Sequence, residues 1–270
     1  MKLILMGTND FVVPVFDNLA NNHEIVAVFT RAPKPVGRKQ ILTPSPVHLW
    51  AQNRGLSVYT SIKEFDGISE KPDMIVVISY GVILRDNVLN TAPCINIHPS
   101  SLPKYRGPSP IRTAILNGDT NMDVCLMAMT AELDAGDIYI RKNIDIDIND
   151  TNEMVENKVS DVAIEILNQY LQNPADFKAL PQIGNPTFTR KFTGADEIID
   201  WKNTPNQIHN QIRALGCGRT KINGIDVKIL ETRVKDGNLN ILTIQPAGKK
   251  PMDWHSFLNW LHTNNIKYGE

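Results

Sequence analysis

Short apolar segments alternate with helical patterns along the first half of the chain. Segments 2–7, 24–30, 57–60, 73–80 and 94–98 are rich in apolar residues, and amphipathic patterns lie between them at 11–20 and 47–53. Near-continuous apolar strands are typical of a parallel sheet whose two faces are both covered. The sequence therefore predicts an α/β fold, a mostly parallel sheet with helices on both faces and right-handed crossovers.

Small and polar residues follow three of these predicted strands. Gly7-Thr8, Tyr80-Gly81 and His98 stand at the carboxyl ends of the strands. In open α/β sheets ligands bind outside these ends. The three positions therefore predict one site at one edge of the sheet.

The second half of the chain has a different pattern. A helix is predicted over 150–173, where apolar residues recur every 3.6 residues, and a segment rich in proline follows it. A further helix over 205–215, strands over 227–234 and 239–245, and a helix near 254–262 come next. We expect a catalytic domain over 1–180, a linker over 181–203 and a small β-rich domain over 204–270.

Composition limits the possible environments and partners. The chain has 270 residues, a net charge of -1 and three cysteines without a C-x-x-C spacing, and its apolar runs are far shorter than the roughly 20 residues that span a bilayer. We expect a cytoplasmic protein with no membrane association. Residues 201–270 carry 10 Lys and Arg against 5 Asp and Glu, and residues 25–63 contain no acidic residue. Such positive regions suit a polyanionic partner, although a solvated loop is the commoner explanation.

The densest group of chemically capable residues lies in segment 96–108, N-I-H-P-S-S-L-P-K-Y-R-G-P. Asn96 and His98 are two apart on one predicted strand, so their side chains point to the same face. An amide beside an imidazole can stabilise a developing oxyanion. The prolines that follow predict a stiff loop in which one X-Pro bond is cis.

A second segment, Leu133-Asp134-Ala135-Gly136-Asp137, can supply an acid. A turn with two carboxylates could bring one of them against His98 and favour the charged imidazole. A solvated turn or a fragment of a calcium loop is the alternative, but the other acidic ligands of an EF-hand are missing. We expect no metal site.

Two other enzyme classes fit the sequence less well. A serine hydrolase could use Ser100 or Ser101 with His98, but the chain lacks a G-x-S-x-G elbow. A dinucleotide enzyme needs G-x-G-x-x-G after the first strand, and only Gly7 is present there.

Taken together, N-x-H at 96–98, S-L-P-K-Y-R-G at 101–107 and L-D-A-G-D at 133–137 resemble the signature of the folate-dependent formyltransferases. Stretches 6–15, 28–47 and 245–250 resemble the branch of that family that acts on methionyl-tRNA. Ser101 and Pro99 depart from the usual leucine and small residue at their positions. The resemblance implies a Rossmann-like sheet and, because 29 residues separate Leu215 from Gln245, an abbreviated OB-like C-terminal part with two to three strands in that span.

The resemblance also implies residue roles. The catalytic residues would be Asn96, His98 and Asp137, and the co-substrate would be 10-formyltetrahydrofolate. The residues implied to contact this folate donor are Tyr80, Gly81, Val82, Ser100, Leu102, Pro103, Asp134, Ala135 and Gly136. The residues implied to contact the tRNA acceptor arm are Arg31, Lys34, Arg38, Lys39, Lys249 and Lys250.

The function implied is formyl transfer to the α-amine of initiator methionyl-tRNA by a monomeric enzyme. A nucleotide-sugar N-formyltransferase is one alternative, because such enzymes share the donor and a short C-terminal part. A catalytically silent RNA- or folate-binding protein is another.

Overall fold

The structure, a computed structural model, describes residues 1–37, 39–264 and 266. Two compact units make up the chain. Unit 1 comprises Met1–Pro108, Met122–Ile144 and Glu156–Thr189, and unit 2 comprises Ser109–Asn121, Asp145–Val155 and Arg190–Glu270. The domain boundaries expected at 180 and 204 stay a prediction.

The described part of the chain forms strands that we number in chain order. They are β1 (Lys2–Gly7), β2 (Glu24–Phe29), β3 (Lys34–Val36), β4 (Ile41–Thr43), β5 (Val58–Tyr59), β6 (Met74–Ile78), β7 (Cys94–His98), β8 (Asn121–Ala128), β9 (Ile138–Asp145), β10 (Gly218–Ile222), β11 (Ile225–Lys235), β12 (Asn238–Pro246) and β13 (Met252–Asp253).

The α-helices are α1 (Val13–Asn22), α2 (Pro46–Asn53), α3 (Asp86–Leu89), α4 (Pro110–Asn117), α5 (Asn152–Gln172), α6 (Pro205–Leu215) and α7 (Trp254–Thr263). Short 3₁₀ helices cover Asp10–Val12, Ile62–Gly67 and Pro174–Asp176.

A seven-stranded sheet has the order β5-β2-β1-β6-β7-β8-β9. The first five strands in this order are parallel, and β8 runs antiparallel to β7. Every residue of β6 and β7 is buried, so both faces of the sheet are covered there. The predicted mostly parallel α/β sheet is confirmed. The chain moves outward from β1 through β2 to β5 and then returns to β6 on the other side of β1, which creates a switch point at the carboxyl ends of β1 and β6.

The helix boundaries follow from local capping residues. Ser45 accepts a hydrogen bond from the backbone N–H of His48 at the start of α2, and Thr204 and Gln207 form a capping box at the start of α6. Gly216 ends α6 with φ of +84°, a conformation that glycine adopts without steric cost. The predicted span of α6 is confirmed.

Several predicted elements differ from the structure. The helix expected from residue 11 begins at Val13, behind a 3₁₀ turn. The pattern did not predict the hairpin β3–β4, nor did it predict α3, α4, β10 or β13. These elements are short, so they contain too few apolar repeats to show a period.

The four-stranded antiparallel sheet β10-β11-β12-β13 belongs to unit 2. Three of its strands lie between Leu215 and Pro246, in agreement with the two to three expected there. Its apolar core joins residues of the sheet to the inner faces of α6 and α7, including Ile212, Ile229 and Phe257. No helix in the described part of the chain is long and apolar enough to cross a membrane.

A buried histidine lies beside this core. His209 is 3% exposed, and its Nδ1 and Nε2 lie 2.9 Å from the Thr232 hydroxyl and the Ile148 carbonyl oxygen. Burial lowers the pKa of His209, and the nearby positive charge of Arg213 lowers it further. The folded state therefore favours the neutral imidazole.

We predict that His209 makes the folded state less stable in acid. Because its pKa is lower in the folded chain than the ordinary value of 6.5, its contribution is fully present above 6.5 and is lost as the pH falls toward the folded pKa. The melting temperature should fall as the pH is lowered from about 8 to about 5. His209→Gln should reduce that dependence, and an unchanged dependence in the variant would contradict the assignment.

Candidate active site

The side chains of Asn96 and His98 lie on the same face of β7, near its carboxyl end. Both are nearly buried, with exposed fractions of 8% and 5%. The expectation that they share a face is confirmed by their alternation on a regular strand. The amide of Asn96 forms no hydrogen bond with any residue that the structure describes, so its donors remain available to a ligand.

Both nitrogens of the His98 ring face protein oxygens. Nε2 lies 3.0 Å from the backbone oxygen of Tyr105, and Nδ1 lies 3.7 Å from the Asp134 carboxylate. A carbonyl oxygen can only accept, so Nε2 carries the proton and donates it to Tyr105. Nδ1, the other ring nitrogen, faces the Asp134 carboxylate.

The Asp134 carboxylate is held from a second side. Its Oδ2 accepts a hydrogen bond of 2.7 Å from the backbone N–H of Gly107. The backbone of Asp134 has φ of +47°, a left-handed conformation that asparagine and aspartate tolerate better than other residues. The carboxylate thus connects the 133–137 turn to the loop that follows β7.

The expected pairing of His98 with Asp137 is not the arrangement in the structure. The side chain of Asp137 is exposed, while its backbone oxygen accepts from the N–H of Ala128. Gly136 packs so closely that a Cβ there would lie 1.8 Å from the Ala128 oxygen. The 133–137 turn therefore packs directly against β8 at Gly136. In this arrangement the carboxylate that approaches the His98 imidazole is that of Asp134.

The loop after β7 is stiff and partly buried. The Leu102–Pro103 peptide bond is cis, in agreement with the prediction of one cis X-Pro bond. Leu102 is buried, and its backbone oxygen accepts from Arg141. Ser100 is fully buried, and its hydroxyl has no hydrogen-bond partner within the described structure.

The carboxyl end of β6 lies beside β1, as expected. The Thr8 hydroxyl donates to the Tyr80 backbone oxygen at 3.4 Å. The phenol of Tyr80 is buried, and burial raises its pKa to about 12. Gly81 has φ of +75°, which allows the backbone to turn sharply here. The side chain of Val82 is 42% exposed.

The predicted folate contacts lie along this edge but differ in exposure. Ser100 and Leu102 are buried, Pro103 and Ala135 are partly buried, and Val82 is exposed. The amide of Asn96 is a polar group of the kind that a bound ligand satisfies, whereas the Ser100 hydroxyl is fully enclosed by protein. The residues therefore fit a donor whose reacting group carries hydrogen-bond acceptors.

The basic residues expected to contact tRNA lie on two separate parts of the chain. Lys34 and Lys39 are exposed on the β3–β4 hairpin, and Arg31 is partly buried just before it. Lys249 and Lys250 are exposed in the turn after β12. Arg38 lies outside the described residues. The hairpin also exposes Val36, Ile41 and Leu42, at 50%, 62% and 67%.

Sequence analysis missed one side chain at this site. Gln182 lies in the segment expected to be a linker, yet its amide binds the backbone oxygens of Asp134 and Gly136 and the guanidinium of Arg106. An isolated glutamine between prolines gives no period or motif that would have indicated this role.

Cys94 and Cys125 are both buried. Burial raises the pKa of Cys94 to about 12 and that of Cys125 to about 11, so neither thiol forms a reactive thiolate near neutral pH. Among the residues that the structure describes, no three His, Cys, Asp or Glu side chains are grouped to hold a metal ion.

Two known protein families match most of the chain. The family described as formyl transferase matches residues 1–171, and the formyl transferase C-terminal domain matches residues 191–238.

Curated relatives are similar over most of their length. A methionyl-tRNA formyltransferase from Ehrlichia ruminantium (strain Gardel) is 41% identical over 226 residues, covering 80% of this chain and 74% of that protein. Another, from Listeria monocytogenes serotype 4a, is 35% identical over 310 aligned positions, covering 100% and 99%.

Solved structures share the fold. An N-formyltransferase from Helicobacter canadensis, in complex with folinic acid and dTDP-3-aminofucose, has a TM-score of 0.67 at 23% identity, covering 87% of this chain and 88% of that one. Methionyl-tRNA formyltransferase from Clostridium thermocellum has a TM-score of 0.66 at 15% identity, covering 91% and 98%.

Proposed function

This chain belongs to the formyl transferase family, and we propose that it transfers a formyl group from 10-formyltetrahydrofolate to the α-amine of methionyl-tRNA. The observation that carries the chemistry is the grouping of Asn96, His98 and the Asp134 carboxylate at the edge of the sheet. The acceptor is proposed from the relatives, which are named methionyl-tRNA formyltransferase at 33–41% identity.

The proposed catalytic residues are Asn96, His98 and Asp134. When the donor is bound, it supplies a formyl carbon that the acceptor amine attacks. The Asn96 amide donates to the formyl oxygen as negative charge develops there, and a charged imidazole of His98 stabilises the same charge. These groups are already in place, so little reorganisation is needed when the charge forms.

Proton movement is proposed at Asp134, whose carboxylate lies beside the His98 ring. The amine loses one proton when its new C–N bond forms, and the folate nitrogen gains one when its bond to the formyl carbon breaks. Asp134 receives the first proton, directly or through water, and passes a proton to the folate nitrogen as that nitrogen leaves, so the carboxylate is regenerated. The hydrogen bond from Nε2 to Tyr105 keeps the ring in one orientation throughout.

The folate donor is proposed to lie along the edge formed by the 80–82, 100–103 and 134–136 segments. The tRNA is proposed to contact the β3–β4 hairpin, where residues 25–63 contain no acidic residue, and the basic turn at Lys249 and Lys250. Surfaces that carry lysine and arginine without acidic residues bind the negatively charged phosphate groups of tRNA. An enzyme that acts on an aminoacyl-tRNA is expected in the cytoplasm, which supports the proposed cytoplasmic location. The monomeric state stays a prediction.

The experiment that tests the proposed function compares acceptors. The purified protein, with 10-formyltetrahydrofolate as donor, should formylate methionyl-tRNA much faster than amino-sugar nucleotides. Product is measured as acid-precipitable formyl label for the tRNA and by chromatography for the sugar. Faster transfer to the sugar would replace the proposed acceptor, and transfer to neither would support a binding protein without activity.

Exchange of the two carboxylates of the turn tests the catalytic assignment. Asp134→Asn should lower kcat by about a hundredfold or more, because the imidazole loses its charged partner. Asp137→Asn is the matched control, since its side chain is exposed in the same turn; its kcat should stay within about threefold of wild type. A larger loss of kcat in Asp137→Asn than in Asp134→Asn would contradict the assignment and would make Asp137 the catalytic carboxylate, as the family resemblance implied.

The salt dependence of binding tests the tRNA surface. Lys34→Ala combined with Lys39→Ala should raise KM for methionyl-tRNA and flatten the log–log salt slope by about two units if each lysine contacts a phosphate. Lys71→Ala serves as the control, because Lys71 is exposed just before β6, at the other end of that strand from the candidate site. An equal effect of all these substitutions would indicate a nonspecific charge effect.

A further inference from the structure

The side chain of Gln182 connects two loops of the candidate site. Its Nε2 donates to the backbone oxygens of Asp134 and Gly136, at 2.8 and 2.9 Å. Its Oε1 accepts from Nη2 and Nε of Arg106, at 2.8 and 3.2 Å. A primary amide has two N–H donors and two acceptor lone pairs, so every hydrogen-bonding position of Gln182 is used.

These bonds hold the turn at its least favourable backbone position. Asp134 has a positive φ, which costs free energy unless neighbouring groups stabilise it. The Gln182 amide binds the carbonyl groups on both sides of Ala135 and so fixes the direction in which the Asp134 carboxylate points. That carboxylate reaches both Nδ1 of His98 and the N–H of Gly107.

Arg106 connects the same amide to the loop after β7. The segment that contains Gln182 also pairs with this loop through its backbone: Arg106 N–H donates to the Thr187 oxygen at 2.8 Å, and Thr189 N–H donates to the Arg106 oxygen at 2.7 Å. Residues 182–189 therefore act as a strap, attached to both loops that supply the groups around the imidazole.

We propose that Gln182 is a positioning residue that keeps Asp134 directed at His98 by binding the carbonyl groups of the 134–136 turn. This inference rests on the proposed function, since it assumes that Asp134 acts in formyl transfer. The two N–H donors carry the effect, and the bond to Arg106 orients the amide so that both donors face the turn.

Two variants with side chains about as long as that of Gln182 separate the role of its N–H donors from that of its acceptor oxygen. Gln182→Glu keeps an oxygen for Arg106 but replaces the donors with an oxygen that faces two carbonyl groups. Gln182→Met keeps the length and removes all four bonds. We expect both to lower kcat for methionyl-tRNA by about ten- to a hundredfold, with KM within about threefold, because a misplaced group costs rate rather than binding.

The adjacent Ile183 offers a matched control, because its side chain is 90% exposed. Ile183→Ala should keep the wild-type kcat. Wild-type activity in Gln182→Glu, with loss only in Gln182→Met, would show that the Arg106 contact matters and would overturn the proposal. Loss of folded protein in both variants, measured by circular dichroism and melting temperature, would assign Gln182 to the fold and would also overturn it.

A double-mutant cycle tests whether Gln182 acts through Asp134. In an Asp134→Asn background, Gln182→Glu should lower kcat by less than about threefold further, because the carboxylate that it positions is already absent. An equal fold loss in both backgrounds would overturn the proposal. Failure of the proposed function would appear elsewhere, as no formyl transfer by the wild-type chain or as no loss in Asp134→Asn alone.

Discussion

The burial of the central strands on both faces is the constraint on which the rest of this structure depends. Because β6 and β7 are covered above and below, few polar side chains fit within them, and Asn96 and His98 are the polar residues of β7. The parallel register brings the end of β1 beside the end of β6, and the end of β6 beside that of β7. The candidate site is therefore a consequence of sheet topology, and its chemistry is set by the few residues at that edge.

Protein groups hold most of the side chains at this edge. His98 is oriented by the Tyr105 carbonyl, Asp134 by the Gly107 N–H, and the turn by Gln182. Asn96 differs, because its amide contacts no described polar partner and so is free to meet a developing charge.

Similarity in sequence and similarity in fold extend to different sets of proteins. Relatives with up to 41% identity share most of their length with this chain and indicate the acceptor. The solved structures are below 25% identity and show the fold alone, and they include formyltransferases for both tRNA and sugar acceptors. The shared fold therefore does not by itself distinguish the acceptor.

The sequence by itself determined the sheet, the long helices and the pairing of Asn96 with His98, because period and residue type along one strand are local properties. It also identified the family, through motifs spread over the chain. It did not determine which carboxylate of L-D-A-G-D meets the imidazole. That depends on the close packing of Gly136 against Ala128, a contact between segments that no spacing encodes. The role of Gln182 was hidden for the same reason, since its partners lie 76, 48 and 46 residues away and only the folded chain brings them together.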